Sequence, residues 1–288
     1  MIFRDLNLEK NLIENLESLG YKTLTPIQEN SLKYSLEKKD IIARAKTGSG
    51  KTLAFCLPII NNLDKKKYRV QSLILAPTRE LATQIAQTIR EVLRSTPNIK
   101  VLTLCGGVPY KPQVVSLSHE AHIIVGTAGR VLKHINEGNL KLENINTFVL
   151  DEADKMLDMG FFDDISKVSS LLPKQRQNLL FSATFSNEIK NLALEFLNNP
   201  VNIEVEDEEQ NIIKQVFYEV NSRDLKDSLI EKLIKKYKAN STIIFCNQRV
   251  TCEELADSLF ERDIDAVLSQ IEHVQEEPVR SEERRVGK

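Results

Sequence analysis

The chain has 288 residues, of which 41% are hydrophobic and 28% charged, and its formal net charge is -2. These values are typical of a soluble globular protein and exclude a polycation, so any nucleic-acid site must be a local basic surface. The four cysteines show no CxxC pair and no metal-ligand spacing, which favours reduced, buried thiols. Charges in the first seven residues disagree with a signal peptide, and no apolar run reaches membrane-spanning length. We therefore expect a cytoplasmic protein without a membrane partner.

Between residues 40 and 199, short apolar runs alternate with longer helical patterns such as 79–94 and 187–197. The runs are apolar on both faces, which is typical of parallel strands covered by helices on both sides. The alternation predicts a doubly wound α/β domain, in which ligands bind at the carboxyl ends of the strands. The predicted strands are 41–43, 72–75, 101–104, 123–125, 147–150 and 179–181.

An acidic segment without helical periodicity, residues 206–211, indicates a linker. After it the alternation of strands and helices restarts, and it stops after residue 268. These boundaries predict a first domain over residues 1–205 and a partial second domain of the same architecture over residues 212–279. In the second domain the predicted strands are 215–220, 242–246 and 265–268, and the predicted helices are 224–237 and 249–261.

The loop after the first predicted strand has the composition of a phosphate-binding loop. Its glycines let successive backbone N–H groups point at phosphate oxygens, and the following helix adds the positive end of its dipole. Lys51 would reach the β- and γ-phosphates, and the Thr52 hydroxyl would bind Mg²⁺. The alternative is a glycine-rich turn without a ligand. The loop consists of Ala45, Lys46, Thr47, Gly48, Ser49, Gly50, Lys51 and Thr52.

An acidic pair follows the predicted strand 147–150. At that position Asp151 can hold Mg²⁺ through a water molecule, and Glu152 can orient or deprotonate the water that attacks the nucleotide. Alone, such a pair is more often a solvated turn, but its pairing with the phosphate-binding loop favours catalysis. Ser182 and Thr184 follow the next strand and place two hydroxyls at the same edge, although such residues usually cap a helix.

In their order along the chain, these segments resemble the motifs of the DEAD-box RNA helicases, from residue 3 to about residue 247. Residues 20–28 resemble the family's Q motif, and Phe3 precedes that segment by 17 residues, as in the family. The resemblance implies that Gln28 hydrogen-bonds the adenine edge of ATP and that Phe3 and Tyr21 help to form the base pocket. For both aromatic residues the alternative is core packing. Alanine at position 45 is common in this family.

Three further segments resemble the family's RNA-binding motifs. The resemblance implies that they grip the phosphates and sugars of one RNA strand without reading its sequence. Ala128 stands where the family has proline, so we expect a more flexible loop and a weaker grip. Helix capping is the alternative role for Thr78 and Thr127. The implied RNA-binding residues are Pro77, Thr78, Arg79, Gly106, Gly107, Thr127, Gly129 and Arg130.

The remaining motifs concern coupling and the second domain. Ser182 and Thr184 resemble motif III, which implies that they bond Asp154 and couple ATP hydrolysis to strand separation; residues 243–247 resemble motif IV. The implied fold is a RecA-like doubly wound parallel sheet (a P-loop NTPase), with a complete first and an incomplete second RecA-like domain. Several stretches are most similar to the bacterial DbpA-type branch. That similarity implies a role in assembly of the large ribosomal subunit, with ribosomal RNA as the partner.

The resemblance ends before the family's motifs V and VI, whose arginines contact the γ-phosphate. Because an arginine finger is worth on the order of 10³–10⁵ in rate, we expect these 288 residues to bind nucleotide weakly and to hydrolyse ATP very slowly. Residues 280–288 resemble a translated sequencing adapter. We interpret them as an artefactual tail; the alternative is a genuine charged tail.

Two other classes of function stay open. One is a catalytically silent module that binds ATP or RNA. The other is a different P-loop machine such as a DNA translocase, against which Gln28 and the Ser182 segment argue. The sequence specifies neither the RNA target nor an oligomer, and we expect a monomer.

Overall fold

The computed structural model describes residues 1–46, 48–119, 121–205, 216–220, 222–238, 241–262, 264–268 and 284–286. The chain divides into two compact units, residues 1–208 and 209–288. The predicted linker, residues 206–211, lies outside the described residues. The predicted domain boundaries therefore stay predictions.

Unit 1 is built on a seven-stranded sheet in which every pair of neighbouring strands is parallel. The sheet order is β3-β4-β2-β5-β6-β1-β7, where the strands are β1 Ile41–Arg44, β2 Ser72–Leu75, β3 Val101–Leu104, β4 Ile123–Gly126, β5 Thr147–Leu150, β6 Gln177–Ser182 and β7 Val201–Glu204. All six strands predicted for the first domain are present, and the doubly wound parallel fold is confirmed.

The seventh strand, β7, is an addition to the prediction. It pairs with β1 at the edge of the sheet, and of its four residues Ile203 alone is buried. An edge strand needs one apolar face only, so β7 lacks the continuous apolar run that identified the other strands. The weaker signal was the alternation of Val201 and Ile203 with polar residues.

Helices cover both faces of the sheet because successive strand residues point to opposite sides. In β1, Ile41 and Ala43 belong to one cluster of buried apolar side chains and Ile42 belongs to the other. The helices are α1 Lys10–Ser18, α2 Pro26–Ser35, α3 Lys51–Asn61, α4 Arg79–Val92, α5 Tyr110–Ser118, α6 Ala128–Asn136, α7 Ala153–Asp158, α8 Phe162–Ser170 and α9 Asn187–Phe196, and a short 3-10 helix spans Phe3–Asp5. None of the helices in the described part of the chain is long and apolar enough to cross a membrane.

Unit 2 contains the helices α10 Arg223–Tyr237 and α11 Arg249–Phe260 and an antiparallel pair, β8 Ala266–Leu268 with β9 Arg284–Val286. Both predicted helices and the strand predicted at 265–268 are present within one or two residues. The strands predicted at 215–220 and 242–246 are wrong: residue 215 is outside the described residues, and 216–220 and 242–246 form no strand. A strand requires a paired neighbour, and Phe217, Ile243 and Phe245 are largely exposed. The interpretation of residues 280–288 as a tail artefact stays a prediction.

Candidate functional site

The sheet order sorts the predicted motifs into two groups. The phosphate-binding loop follows β1, the acidic pair follows β5, and Ser182 ends β6; these three strands are neighbours. The three segments with predicted RNA contacts follow β2, β3 and β4, which are also neighbours. Because all strands are parallel, both groups lie at the same edge of the sheet.

The phosphate-binding loop takes the conformation that its glycines permit. Gly48 and Gly50 have φ angles of +84° and +90°, in the left-handed region that glycine enters without strain. The Ala45 N–H donates to the Ser182 carbonyl at 2.9 Å, which fastens the loop to the end of β6. Within the loop, Lys46 and Gly48 are exposed, Ser49 and Thr52 are half-buried, and Thr47 lies outside the described residues.

Lys51, the first residue of α3, is buried between the two acidic residues. Its Nζ lies 3.3 Å from Asp151 Oδ1 and 3.6 Å from Glu152 Oε1. Lys51 and Glu152 are each 5% exposed, and Asp151 is fully buried. Burial raises the pKa of Asp151, and the nearby Lys51 ammonium opposes that rise. The structure thus brings together the three residues predicted to be catalytic.

This buried cluster has unused hydrogen-bonding capacity. Lys51 and Asp151 face each other as an ion pair at 3.3 Å, but among the described residues neither the Lys51 ammonium nor either carboxylate oxygen of Asp151 makes a hydrogen bond of good geometry. A buried charged group without such a partner is costly. A ligand with anionic and cationic groups, such as a nucleotide phosphate with a divalent cation, would supply the missing partners.

Two features of Glu152 escaped the sequence analysis. Its backbone is left-handed, with φ +54° at the start of α7, which is uncommon for a residue other than glycine. Its second carboxylate oxygen, Oε2, lies 2.8 Å from Lys155 Nζ. The spacing of three residues on α7 was the available signal for this ion pair.

Gln28 lies at the start of α2 with its amide directed at the phosphate-binding loop. Nε2 donates to the Gly50 carbonyl at 2.9 Å, and Oε1 accepts from the Thr25 N–H at 3.0 Å. A glutamine amide has one further N–H and one further lone pair, so these bonds leave capacity for the predicted contact with adenine. A Cβ atom on Gly50 would lie only 2.5 Å from Gln28 Nε2, which adds a steric reason for glycine there.

The two aromatic residues assigned to the base pocket differ in burial. Phe3 is buried in the hydrophobic core of unit 1, and Tyr21 is half-buried against the same core. Both positions agree with the alternative of core packing. The assignment of these residues to a base pocket stays a prediction.

Asp154 contacts the segment after β6, as predicted, but through different atoms. Its Oδ2 accepts the backbone N–H groups of Ala183 and Thr184, each at 3.1 Å. Ser182 Oγ accepts the Thr184 N–H at 3.4 Å. The link from Asp154 on α7 to the segment after β6 therefore uses backbone N–H groups, where the sequence had suggested the side-chain hydroxyls.

The residues predicted to bind RNA form a continuous group of loops. The Gly106 N–H donates to Thr127 Oγ1 at 3.4 Å, and the Arg130 guanidinium donates to the Val108 carbonyl at 3.1 Å. Gly107 has φ +71°, and a Cβ atom there would lie 3.3 Å from the Arg79 guanidinium. Gly129 is exposed and Pro77 is buried.

Thr78 has the capping role that was its alternative. It is the N-cap of α4, and its hydroxyl accepts the Leu81 N–H at 3.2 Å. Thr127 precedes α6 with extended backbone, but its hydroxyl turns to Gly106 and does not cap the helix. Ala128, which stands where the resemblance expects proline, is buried as the first residue of α6.

Residues 25–192 match the family of DEAD/DEAH box helicases. The chain belongs to this family. The ATP-dependent RNA helicase DbpA of Escherichia coli K12 is 44% identical over 250 residues, covering 86% of the chain and 54% of that relative. The DEAD-box ATP-dependent RNA helicase CshA of Geobacillus kaustophilus is 38% identical over 259 residues, covering 89% of the chain and 55% of that relative. The chain thus spans about half the length of these curated relatives.

Solved structures of DEAD-box proteins have the same fold. A DEAD box protein from Methanococcus jannaschii matches with a TM-score of 0.69 and 36% identity. The match covers 92% of this chain and 71% of the Methanococcus jannaschii chain. Saccharomyces cerevisiae Dbp5 L327V, bound to RNA and ADP BeF3, matches with a TM-score of 0.78 and 30% identity. The match covers 92% of this chain and 68% of the Dbp5 chain. These likenesses agree with the RecA-like architecture predicted for the chain.

Replacing Gln28 by leucine in this DEAD-box chain should separate its support of the phosphate-binding loop from its predicted contact with adenine. The change removes the bond to the Gly50 carbonyl, so we expect a loss of about 1–2 kcal/mol in stability and about tenfold in nucleotide affinity. If the affinities for fluorescent ATP and GTP analogues fall equally, Gln28 acts through the phosphate-binding loop alone. If the affinity for the ATP analogue falls more, Gln28 also recognises adenine. Gln84→Leu, at an exposed site on α4, is the matched control. Unchanged affinity for both nucleotides contradicts both roles.

Proposed function

We propose that the protein is an ATP-dependent RNA helicase, in which RNA stimulates ATP hydrolysis and hydrolysis drives local separation of RNA strands. The observation that carries this proposal is the buried cluster of Lys51, Asp151 and Glu152 beside the phosphate-binding loop, with hydrogen-bonding atoms that lack partners among the described residues. Membership of the DEAD/DEAH box helicase family supports it. So do the names of the related DbpA and CshA proteins.

In this proposal, backbone N–H groups and the charged side chain of Lys51 bind ATP together. The N–H groups of the loop and the start of α3 face the phosphates, and Lys51 moves its ammonium from the two carboxylates towards the β- and γ-phosphates. Gln28 holds the Gly50 carbonyl and keeps the loop in its binding conformation. Mg²⁺ fits Thr52 and, through water, Asp151, because both offer the oxygen ligands it prefers; when bound, it neutralises charge on the phosphates.

Glu152 is the residue proposed to orient or deprotonate the attacking water. Two ammonium groups, those of Lys51 and Lys155, flank its carboxylate at 3.6 and 2.8 Å. Departure of Lys51 towards the phosphates would free one carboxylate oxygen for water. Asp154 fixes the neighbouring backbone through the N–H groups of Ala183 and Thr184, and we assign it the coupling role.

RNA binds in this proposal at the neighbouring loops after β2, β3 and β4. Their backbone N–H groups, hydroxyls and the guanidinium groups of Arg79 and Arg130 are suited to phosphate and sugar oxygens. Such contacts position a strand without reading its bases. The similarity to Dbp5, whose solved structure is bound to RNA, supports this assignment.

Among the finer parts of the proposal, the role in assembly rests on the similarity to DbpA, whereas the location and the monomeric state are expectations from the sequence. We propose a role in ribosomal RNA or large-subunit assembly, in the cytoplasm, by a monomer. A catalytically silent module that binds ATP or RNA is the second candidate. The two candidates are distinguished by whether the gene encodes the family's motifs V and VI.

The 288-residue chain itself provides the experiment. It should bind a fluorescent ATP analogue in the presence of Mg²⁺, bind single-stranded RNA more tightly than DNA of the same sequence, and hydrolyse ATP far more slowly than about 1 s⁻¹. Absence of nucleotide binding overturns the proposed function. Tighter binding to DNA favours a DNA translocase, and RNA-stimulated turnover above about 1 s⁻¹ contradicts slow hydrolysis by these residues.

A further inference from the structure

A buried glutamine connects two of the loops assigned to RNA. Gln113 lies on α5 and is 7% exposed. Its Nε2 donates to the Cys105 carbonyl at 3.0 Å, directly before Gly106. Its Oε1 lies 3.0 Å from Nε2 of His134, a fully buried residue on α6. One side chain thus joins the loop after β3 to the helix that begins at Ala128.

These contacts require a proton on Nε2 of His134. Because Gln113 uses its N–H group for Cys105, the atom that faces His134 is an acceptor, so His134 Nε2 carries the proton. His134 Nδ1 has no hydrogen-bond partner among the described residues. Burial, with the nearby charges of Arg130 and Lys133, lowers the pKa of His134. Burial therefore favours the neutral imidazole, with Nε2 as the donor to Gln113.

The same imidazole continues the connection to Arg130. The ring of Tyr110 stacks on His134 with centroids 4.3 Å apart and an interplanar angle of 18°. The Arg130 guanidinium lies 5.5 Å from the centre of the Tyr110 ring, and the Asn139 amide donates to the Tyr110 hydroxyl at 2.9 Å. Arg130 also donates to the Val108 carbonyl, so it contacts both the loop after β3 and the Tyr110 ring that stacks on His134.

We propose that Gln113 is a positioning residue for RNA binding, which holds the Gly106–Gly107 backbone and the Arg130 guanidinium in one fixed arrangement through Cys105 and His134. The proposal rests on the proposed function, because it needs these loops to bind RNA. Gln113 itself binds no RNA: it is buried, and its two known bonds are to protein atoms. Its effect is to raise the fraction of molecules in which both loops are ready to bind.

The first test measures RNA and nucleotide affinity separately in Gln113→Leu. With the loop less often in its binding conformation, affinity for a fluorescent oligouridylate should fall about tenfold. Affinity for a fluorescent ATP analogue should change less than about twofold, because that site lies on the other group of strands. Gln87→Leu, at an exposed position on α4, is the matched control. Unchanged RNA affinity in a folded Gln113→Leu protein overturns the proposal.

The second test uses Gln113→Glu and pH. A protonated carboxyl can donate to the Cys105 carbonyl and accept from His134, whereas a carboxylate places an acceptor against the Cys105 carbonyl. The ratio of wild-type to Gln113→Glu RNA affinity should therefore grow as pH rises, and a constant ratio contradicts the proposed contact. The charged groups that act on His134 are Arg130 and Lys133 on α6 and Glu137 directly after it, and those that act on Cys105 are Arg130 and, on α4, Arg79 and Glu80.

A third measurement separates this proposal from the proposed function. The Gly106 N–H is bonded to Thr127 Oγ1, so its hydrogen exchange reports the loop conformation without any ligand. Gln113→Leu should accelerate exchange at Gly106 about tenfold, and Gln87→Leu should not. If the wild-type chain binds no RNA, the proposed function fails and the role in RNA binding fails with it, whereas faster exchange still supports the hold of Gln113 on the loop after β3. Equal exchange in both variants refutes that role.

Discussion

Replacing Lys51 by alanine is expected to weaken binding of an ATP analogue to the 288-residue chain by roughly 100-fold, because a charge-assisted contact with the phosphates is lost. Lys51 is the cation buried between Asp151 and Glu152. Equilibrium titration with a fluorescent ATP analogue measures the effect. Lys167→Ala, at an exposed lysine on α8, is the matched control and should bind as wild type does.

The same substitution should also change stability in a pH-dependent way. Removing Lys51 leaves the fully buried Asp151 without its nearest counter-charge, which costs about 3 kcal/mol when the carboxylate is ionised. Burial already raises the pKa of Asp151, and loss of the ammonium raises it further. As the pH falls through that raised value the carboxyl becomes neutral and the penalty decreases. The stability difference from wild type should therefore be larger at about pH 8 than at about pH 5.5.

Two results would contradict this account of Lys51. One is ATP binding at wild-type strength by a folded Lys51→Ala chain. The other is a stability difference that does not change with pH, which would mean that Asp151 is not the group left without a partner. Circular dichroism shows that the variant is folded in the first case and follows unfolding in the second, since the chain has no tryptophan.

The second large effect is expected for Gly126→Ala, which should destabilise the chain by about 3 kcal/mol through overpacking. Gly126 ends β4, and a Cβ atom there would lie 2.4 Å from the Leu104 carbonyl oxygen and 2.7 Å from Val131 Cγ2. The carbonyl cannot easily withdraw, because it accepts the Thr127 N–H at 3.1 Å. Urea unfolding followed by circular dichroism measures the loss.

Gly106→Ala is the matched control for that measurement. A Cβ atom on Gly106 meets no atom within 4 Å among the described residues, and its φ is not in the left-handed region. We expect its stability to change by less than about 0.5 kcal/mol. Equal stability of the Gly126→Ala and Gly106→Ala chains would show that β3 and α6 can move away from position 126 at no cost.

The sequence predicted the parts of the fold that depend on local pattern. Six of the seven strands of unit 1 have the continuous apolar run of a covered parallel strand, so their order along the chain was accessible, and parallel pairing then placed Lys51 and Asp151 at the same edge of the sheet. The strands predicted at 215–220 and 242–246 failed because a strand depends on distant partners as well as on its own residues. β7 was missed for the opposite reason, since its partner β1 supports a segment with little apolar character.

The candidate site shows the same division. Residue types indicated the phosphate-binding loop and the acidic pair, but they did not predict the hydrogen bond from Gln28 to the Gly50 carbonyl. They also could not show that Asp154 is held by the backbone of residues 183 and 184, because every residue carries the same N–H group. Gln113 and His134 gave no signal at all, since a buried polar pair is recognised only once two helices are placed side by side.

The order of strands has a consequence for how such a domain can diversify. The loops assigned to ATP and those assigned to RNA meet within the sheet at one strand pair, β2 with β5, whose register joins Ser72–Leu75 to Thr147–Leu150. Substitutions or insertions in the loops after β3 and β4 can therefore accumulate without disturbing the atoms around Lys51. Natural selection could therefore change how tightly the loops after β3 and β4 hold a ligand while the residues around Lys51 are inherited unchanged.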